Sequence, residues 1–205
     1  GWCGDLDTYR QSSSRRPALL RGAELSSTPS DASASNLSRK RFMPLIKDAA
    51  EIEDTWSFVE DGVELPSSGC ITVPLAKLID ESANLLARNQ QIGVRLAPAD
   101  DPHDLTPYLD RISLIEIDFP KYTDGRGYSQ AQLLRRRLGY AGELRAVGHV
   151  LRDQILYMNR SGFDAYQTSR ADLPNVLQAL NEYSAVYQRA ADDRKTVFAK
   201  RHGLK

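Results

Sequence analysis

The chain has 205 residues, of which 41% are hydrophobic, with 27 Lys and Arg against 27 Asp and Glu. This length supports one sizeable hydrophobic core, and a net charge of zero excludes a global field that would recruit nucleic acid, an anionic membrane or acidic substrates. The two cysteines, Cys3 and Cys70, lack a nearby Cys or His at ligand spacing, which argues against a structural zinc site. No apolar run reaches the ~20 residues of a membrane-spanning helix, so we expect a cytoplasmic protein without a bound metal.

The N-terminal part of the chain divides into a polar segment and the start of a folded domain. Residues 1–41 are rich in Ser, Ala and Arg without an apolar period, which predicts a disordered leader. A single α/β domain is expected over residues 42–190 and a charged tail over 191–205. The domain is predicted to open with a hairpin over 56–66, turning at Asp61-Gly62. A strand at 71–73 and an amphipathic helix to about residue 89 are predicted to follow.

From residue 93 onward, predicted strands and helices alternate. Strands are expected at 93–96, 112–119, 143–147 and 163–167, and helices at 104–111, 129–138, 149–161 and from Asp172 through Tyr187. Repeated strand–helix units imply a parallel sheet with right-handed crossovers. We therefore expect an α/β fold with an open parallel sheet or partial βα barrel of about four to five strands and a small N-terminal hairpin. An open edge favours a homo-oligomer, a state that the sequence does not decide.

The loop after the strand at 112–119 carries residue types suited to an anion. Ligands of open parallel sheets bind at the carboxyl ends of the strands. Gly125 and Gly127 allow close backbone approach, Ser129 is placed to cap the next helix, and Arg126 offers a guanidinium fork. In the alternative interpretation Asp124 and Arg126 simply pair to hold a tight loop, and residue type alone does not separate the two.

The next strand end offers His149, Arg152 and Asp153. His149 is expected at the start of a helix, where the helix dipole lowers the pKa of an imidazole, so that it would serve as a neutral donor or base. A lone His is, however, more often an ordinary capping or hydrogen-bonding residue. Arg152 and Asp153 either bind a ligand or form a salt-bridged helix surface. The run Arg135-Arg136-Arg137 is expected to be solvent-exposed.

Charged residues also occur inside the predicted central strands. Glu116 and Asp118 point to the same face of one strand, Arg145 lies in the middle of the next, and Arg95 lies in the strand before them. Because burying an unpaired charge is costly, we expect Glu116 or Asp118 to pair with Arg145 beneath the strand-end loops.

Several stretches of this sequence resemble the bacterial domain-of-unknown-function family 934. They are Ile117-Asp118-Phe119-Pro120, Thr123-Asp124-Gly125-Arg126-Gly127-Tyr128-Ser129, Gly142-Glu143-Leu144-Arg145-Ala146-Val147-Gly148 and Leu151-Arg152-Asp153-Gln154. The resemblance covers roughly residues 56–188. It implies a connection with oxidoreductases, because members are often described so and their genes tend to lie beside a sirohaem-dependent nitrite or sulfite reductase. The family brings no established active site, and His149 stands where many members have an aspartate. The chain has no complete dinucleotide-binding glycine motif, no cysteine cluster and no sirohaem ligand set, so the cofactor is unknown.

Two functions are predicted. The preferred one is an accessory protein of assimilatory sulfate or nitrite reduction, which associates with a sirohaem sulfite or nitrite reductase or binds a small oxyanion through Arg126, Arg145 and the helix start at Ser129. The alternative is an enzyme acting on a small phosphorylated or carboxylated metabolite. In that case Asp118 or Asp124 would be the base, His149 the acid, and Arg126 and Arg145 the anchors. Neither function involves nucleic acid or a membrane.

Overall fold

The computed structural model describes residues 44–48, 50–168, 178–180, 183–192 and 194–203. The predicted leader and most of the helix predicted from Asp172 lie outside the described residues. Within the described part, the chain is an α/β protein whose eight-stranded mixed sheet curls into a half-barrel. None of the described helices is both long enough and apolar enough to cross a membrane.

The sheet is parallel over most of its width. Its strands are β1 (Leu45–Lys47), β2 (Ala50–Ile52), β3 (Trp56–Phe58), β4 (Cys70–Pro74), β5 (Ile92–Leu96), β6 (Ile112–Phe119), β7 (Glu143–Gly148) and β8 (Ala165–Gln167). Their order is β2-β1-β8-β7-β6-β5-β4-β3. Strands β3 to β8 pair in parallel, each beside the preceding strand of the chain. Strand β1 pairs antiparallel with both β2 and β8. The predicted α/β class is confirmed, but four to five strands is too low a number, because three-residue strands such as β1 and β2 carry little alternation.

Helices cover one face of this sheet. They are α1 (Leu75–Asp80), α2 (Ser82–Leu86), α3 (Arg126–Arg136) and α4 (Ile155–Ser161), with short 3₁₀ helices at Pro102–Tyr108 and Arg152–Gln154. A further helix, α5 (Val197–Arg201), lies in the C-terminal segment. Alternate side chains of β6, namely Ile115, Ile117 and Phe119, join the core that includes Leu134 of α3 and Met158 of α4. Since side chains alternate along a strand, Glu116 and Asp118 point to the opposite face.

The hairpin predicted over residues 56–66 is wrong. A turn does form at Asp61-Gly62, where Val63 N donates to Glu60 O at 3.3 Å, but the chain after it does not return as a strand. The ammonium of Lys77 on α1, which is buried, donates to Val63 O at 2.7 Å and holds this turn against the helix. The antiparallel N-terminal hairpin is instead β1–β2.

Several helix boundaries also differ from the predicted ones. The single helix predicted after β4 is divided at Glu81 into α1 and α2, and α3 begins at Arg126 rather than at Ser129. After β7 the chain is not helical until Arg152, so His149 lies in a bend. Tyr183 and Tyr187, predicted on a helical stripe, lie in non-helical chain.

Arg135 is not part of a solvent-exposed run. Its guanidinium donates to the carbonyls of Gly162 at 2.9 Å, Tyr140 at 2.7 Å and Gly142 at 2.8 Å, and pairs with the Asp164 carboxylate. Arg135 therefore ties the end of α3 to the segments that enter β7 and β8, while Arg136 and Arg137 are less constrained and lie nearer to solvent.

Candidate functional site

A row of charged side chains crosses the sheet on the face opposite the helices. In the strand register Arg95 of β5 lies beside Glu116 of β6, and Glu116 lies beside Arg145 of β7. Arg145 lies beside Ala165 of β8, which in turn lies beside Lys47 of β1. Residues paired in register across a sheet point to the same face, so these charges meet side by side.

The charges of the row alternate in sign and bind one another. Arg95 Nη2 lies 2.7 Å from Glu116 Oε2, and Arg145 Nη1 lies 3.5 Å from Glu116 Oε1. Arg145 Nη2 lies 2.9 Å from Glu143 Oε1, whose second oxygen lies 2.7 Å from Lys47 Nζ. The predicted pairing of Arg145 with Glu116 is confirmed, and it is Glu116, not Asp118, that pairs.

Asp54 and Phe58, just before and within β3, complete the enclosure of the charged row. Asp54 Oδ1, just before β3, lies 3.0 Å from Arg145 Nη1, and Phe58 of β3 places its ring 3.7 Å from the guanidinium carbon of Arg95. Arg145 is 2% exposed and Glu116 is 3% exposed. Arg145 thus contacts three carboxylates and is closed to solvent.

The pKa of Glu143 reflects two opposing effects, burial of its carboxyl group and hydrogen bonds from neighbouring cations. Burial by itself raises the pKa of a carboxyl group, but the hydrogen bonds from Lys47 and Arg145 outweigh it and hold the pKa of Glu143 below its usual value. Glu143 is therefore stabilised in its charged form.

The loop after β6 contains a closed ion pair. Asp124 Oδ2 accepts from Arg126 Nη2 at 2.7 Å, and Oδ1 accepts from both Arg126 Nε and the Arg126 backbone N at 3.1 Å. The side-chain hydrogen bond from Arg126 lowers the pKa of Asp124 to about 2. Because Asp124 binds a backbone N–H in the first turn of α3, its own carboxylate lies where a bound anion would be expected. The structure thus agrees with the second interpretation of this loop, in which Asp124 and Arg126 pair with each other.

The two glycines of this loop differ in their roles. Gly125 has a φ of −85°, and a Cβ added to it would meet nothing within 4 Å. A Cβ on Gly127 would lie 2.5 Å from Phe119 Cζ and 3.0 Å from Ile117 Cγ2, so Gly127 is needed for α3 to pack against β6. Ser129 is exposed, lies inside α3 and does not cap it. Of the two glycines, Gly127 therefore makes the close approach, and it does so toward the core.

His149 connects the loops after β6 and β7. Its backbone N donates to Phe119 O at 2.7 Å, and its ring makes an edge contact with Tyr122, with centroids 5.4 Å apart. Gln154 Nε2 donates to Tyr122 O at 2.6 Å. His149 is thus not at the helix start where it was predicted. Arg152 and Asp153 lie in the short 3₁₀ helix that follows. Burial of Tyr128 and the charge of Asp153 raise the pKa of Tyr128 to about 12.

Asp118 lies at the carboxyl end of β6, next to the charged row. Burial raises the pKa of Asp118, and the Arg95 charge and the Phe119 N–H offset this only in part. A Cβ on Gly148, whose φ is 93°, would lie 2.8 Å from Asp118 Oδ1, so this glycine makes room for the carboxylate. No cation of the described residues lies within salt-bridge distance of Asp118.

The predicted site residues thus separate into two groups. Arg145 lies within the buried row, whereas Asp124, Arg126 and His149 lie in exposed parts of the strand-end loops. The row also uses Asp54, Lys47 and the carboxylate of Glu143, which the sequence reading did not assign. Glu143 was detectable, because it is two residues from Arg145 on the same strand face.

Comparison with known proteins identifies a family without a known activity. Residues 93–198 match the model of a family described as a bacterial protein of unknown function, DUF934. The match begins in β5 and includes β6, β7, β8 and both strand-end loops. No curated protein matches the chain.

Proposed function

We propose that this chain, which belongs to the DUF934 family of bacterial proteins of unknown function, is an accessory protein that binds another protein through its strand-end face. We define this face by the exposed parts of the loops after β6 and β7, with Tyr122, Asp124, Arg126, His149 and Asp153. The proposed partner is a sirohaem-dependent sulfite or nitrite reductase. This choice of partner rests on the family resemblance alone.

The observation that carries this proposal is the state of the two guanidinium groups predicted to hold an anion. Arg126 donates to Asp124 through Nε and Nη2, the two donors on one edge of its guanidinium group. Arg145 is enclosed by Glu143, Asp54 and Glu116. At Arg145 a small oxyanion would have to displace a carboxylate already held in place, and at Arg126 it would meet the repulsion of the neighbouring Asp124 carboxylate. The geometry therefore favours the protein-binding half of the predicted function over capture of a small oxyanion.

The strand-end face has the properties of a protein-binding surface. Tyr122 is 50% exposed, and its backbone and ring are held by Gln154 and His149. The Arg126 side chain is 62% exposed but fixed by Asp124. Tyr and Arg are enriched at the centres of protein interfaces, and side chains already held in one conformation lose less entropy on binding. The face therefore offers two preorganised anchors.

The test measures binding of the purified, sirohaem-loaded reductase to the full chain by surface plasmon resonance. Tyr122→Ala and Arg126→Ala are each expected to weaken binding about tenfold or more, as for interface anchors. The matched control is Arg136→Ala, which removes an exposed arginine from the other end of α3. Absence of binding to the reductase, or equal affinity of all three variants and the wild type, would reject the proposal.

A second candidate function is supported by Asp118. A half-buried carboxylate at a strand end, with a raised pKa and with no cation of the described residues within salt-bridge distance, is a suitable base for an enzyme acting on a small phosphorylated or carboxylated metabolite. Thermal-shift measurements with panels of such metabolites test this candidate. Stabilisation of the wild type that is lost in Asp118→Asn would favour the enzyme, and a panel without effect would favour the accessory protein.

A further inference from the structure

A second surface, made by the described residues of the segment 183–203 and by the adjoining side of α4, combines exposed aromatic and basic side chains. The exposed aromatics are Tyr157 of α4, Tyr183, Tyr187 and Phe198, and Tyr187 reaches 87% exposure. The same segment of sequence carries five basic residues, Arg189, Arg194, Lys195, Lys200 and Arg201, against two acidic ones, Asp192 and Asp193. This excess of positive charge contrasts with the zero net charge of the whole chain.

The described part of this segment is held in place. Arg160 of α4 pairs with Asp192 at 3.3 Å and accepts the Ala191 N–H at its carbonyl at 2.9 Å. Val186 forms a bridge with Thr196, and the Thr196 side chain caps α5 through the Ala199 N–H. Arg194 donates to Leu180 O at 2.8 Å. The described part of this segment therefore presents a preformed surface.

Three adjoining cavities form a groove along this surface, which we call the C-terminal groove. The first, of about 310 Å³, is lined by Tyr157, Tyr183 and Tyr187. The second, of about 340 Å³, shares Tyr183 with it and adds Arg194, Lys195 and Lys200. The third, of about 280 Å³, shares Arg194 and Lys195 and adds Arg189. The groove is thus aromatic at one end and basic at the other.

Among the described residues, some of the cations along the groove have no acidic partner. Arg160 and Arg194 share the Asp192 carboxylate, and Lys200 donates to the Ser184 carbonyl at 3.0 Å. Within the described residues, Arg189 and Lys195 have no carboxylate within salt-bridge distance. This differs from the charged row of the sheet and from Arg126, where each cation is neutralised.

We propose that the C-terminal groove binds an extended acidic segment of a partner protein, with aromatic or aliphatic side chains filling the tyrosine-lined cavity. The unpaired cations supply the charge complementarity for acidic side chains. Small linked cavities suit a chain that inserts one side chain after another, and tyrosine is a favoured anchor at interfaces. A single-stranded nucleic acid also uses cations with aromatic rings, but it needs a positively charged groove along its whole backbone, whereas the cations here lie toward one end and the tyrosines toward the other. The groove shares no residue with the strand-end face, so this proposal does not rest on the function proposed above.

The test uses fluorescence anisotropy with the full chain and a labelled synthetic peptide in which glutamate alternates with phenylalanine. Comparison probes are the same peptide with glutamine for glutamate, the same peptide with alanine for phenylalanine, and a uridine oligomer. The acidic aromatic peptide is expected to bind at least about tenfold more tightly than either altered peptide, and added salt is expected to weaken its binding.

Variants of the groove connect the binding to this surface. The double variant Arg189→Glu with Lys195→Glu and the single variant Tyr187→Ala are each expected to weaken peptide binding about tenfold or more. Arg137→Glu, at the C-terminal end of α3, changes charge outside the groove and is expected to bind like the wild type. Circular dichroism checks that each variant is folded, and Tyr187→Ala alters a side chain that is almost fully exposed. No binding of the acidic peptide, equal binding of the glutamine peptide, unaltered binding by the groove variants, or tighter binding of the uridine oligomer would each overturn the proposal.

Discussion

Replacing Arg145 with methionine tests whether the charged row stabilises the half-barrel by mutual neutralisation. The guanidinium of Arg145 donates to Glu143 at 2.9 and 3.1 Å, to Asp54 at 3.0 Å and to Glu116 at 3.5 Å. Methionine occupies a comparable space and is flexible enough to fill it, so the substitution removes the charge more than the packing. Because Arg145 is 2% exposed, solvent has little access to the three carboxylates from its position.

The magnitude follows from which carboxylates lose their compensation. Removing one partner of a buried ion pair costs about 3–5 kcal/mol, since a buried charge is left uncompensated. Glu143 keeps Lys47 at 2.7 Å, and Glu116 keeps Arg95 at 2.7 Å. The side chain of Asp54 is 19% exposed and is able to turn toward water. We therefore expect a loss of about 3 kcal/mol in the free energy of unfolding, at the lower end of that range.

The loss depends on pH in a defined direction. The pKa of Glu143 lies below its usual value because the hydrogen bonds from Lys47 and Arg145 outweigh burial. A carboxyl group whose pKa is lowered by folding stabilises the protein above its unfolded pKa of about 4.3, and this contribution disappears as the pH falls through the folded pKa. Without Arg145 the pKa of Glu143 rises, and its protonation relieves the uncompensated charge. The difference in stability between wild type and variant is therefore expected to narrow between neutral pH and about pH 4.

Urea unfolding followed by circular dichroism measures this difference, because urea is uncharged and does not screen the row. Arg136→Met, at an exposed position of α3, is the matched control and is expected to change the free energy of unfolding by less than about 0.5 kcal/mol. Equal effects of the two substitutions, or a difference that widens in acid, would refute neutralisation as the stabilising role of Arg145.

Three further predictions concern the neighbouring residues. Gly127→Ala is expected to destabilise the chain by about 1–3 kcal/mol in thermal unfolding, because the new methyl group would lie 2.5 Å from Phe119 Cζ. The control Gly125→Ala meets no atom within 4 Å and is expected to change the free energy of unfolding by no more than about 0.5 kcal/mol. Equal losses of stability in the two variants would contradict the packing role of Gly127. Arg135→Ala removes donors to three backbone carbonyls and one carboxylate. It is expected to lower the free energy of unfolding in urea by about 3 kcal/mol. A loss below about 1 kcal/mol would show that these hydrogen bonds are dispensable. Asp118→Asn is expected to stabilise the fold at neutral pH, because burial raises the pKa of Asp118 and thus disfavours its charged form. This gain in stability should vanish as the pH falls and the wild-type carboxyl group protonates. A variant less stable than the wild type at neutral pH would contradict this reasoning.

Much of the central sheet was predictable because its signals are local. The bounds predicted for β6, residues 112–119, coincide with those of the structure, Ile112–Phe119. Because helices were predicted between β5 and β6 and between β6 and β7, these three strands were expected to run parallel. The pairing of Glu116 with Arg145 also followed from sequence, because the cost of an unpaired buried charge is independent of the details of the fold.

The boundaries of helices were less predictable because they depend on capping and on contacts with the sheet. The loop sequence Asp124-Gly125-Arg126 places a carboxylate that binds the Arg126 N–H, and this starts α3 before Ser129. After β7, the backbone N of His149 is bound by the Phe119 carbonyl, so the chain forms a bend there. Residue type at these positions was compatible with both outcomes.

The sequence by itself determined the α/β class, the central parallel strands and the need for charge pairing within them, since periodicity and the cost of burying charge act within short stretches of chain. The tertiary structure decided which groups meet. Lys47 reaches Glu143 across 96 positions of sequence, and Asp54 reaches Arg145 across 91, and only the curl and register of the sheet bring such distant residues together. The loop at Asp124 and Arg126 illustrates the same division. Its residues were suited both to holding an anion and to pairing with each other, and the backbone geometry at the start of α3 selected the pair.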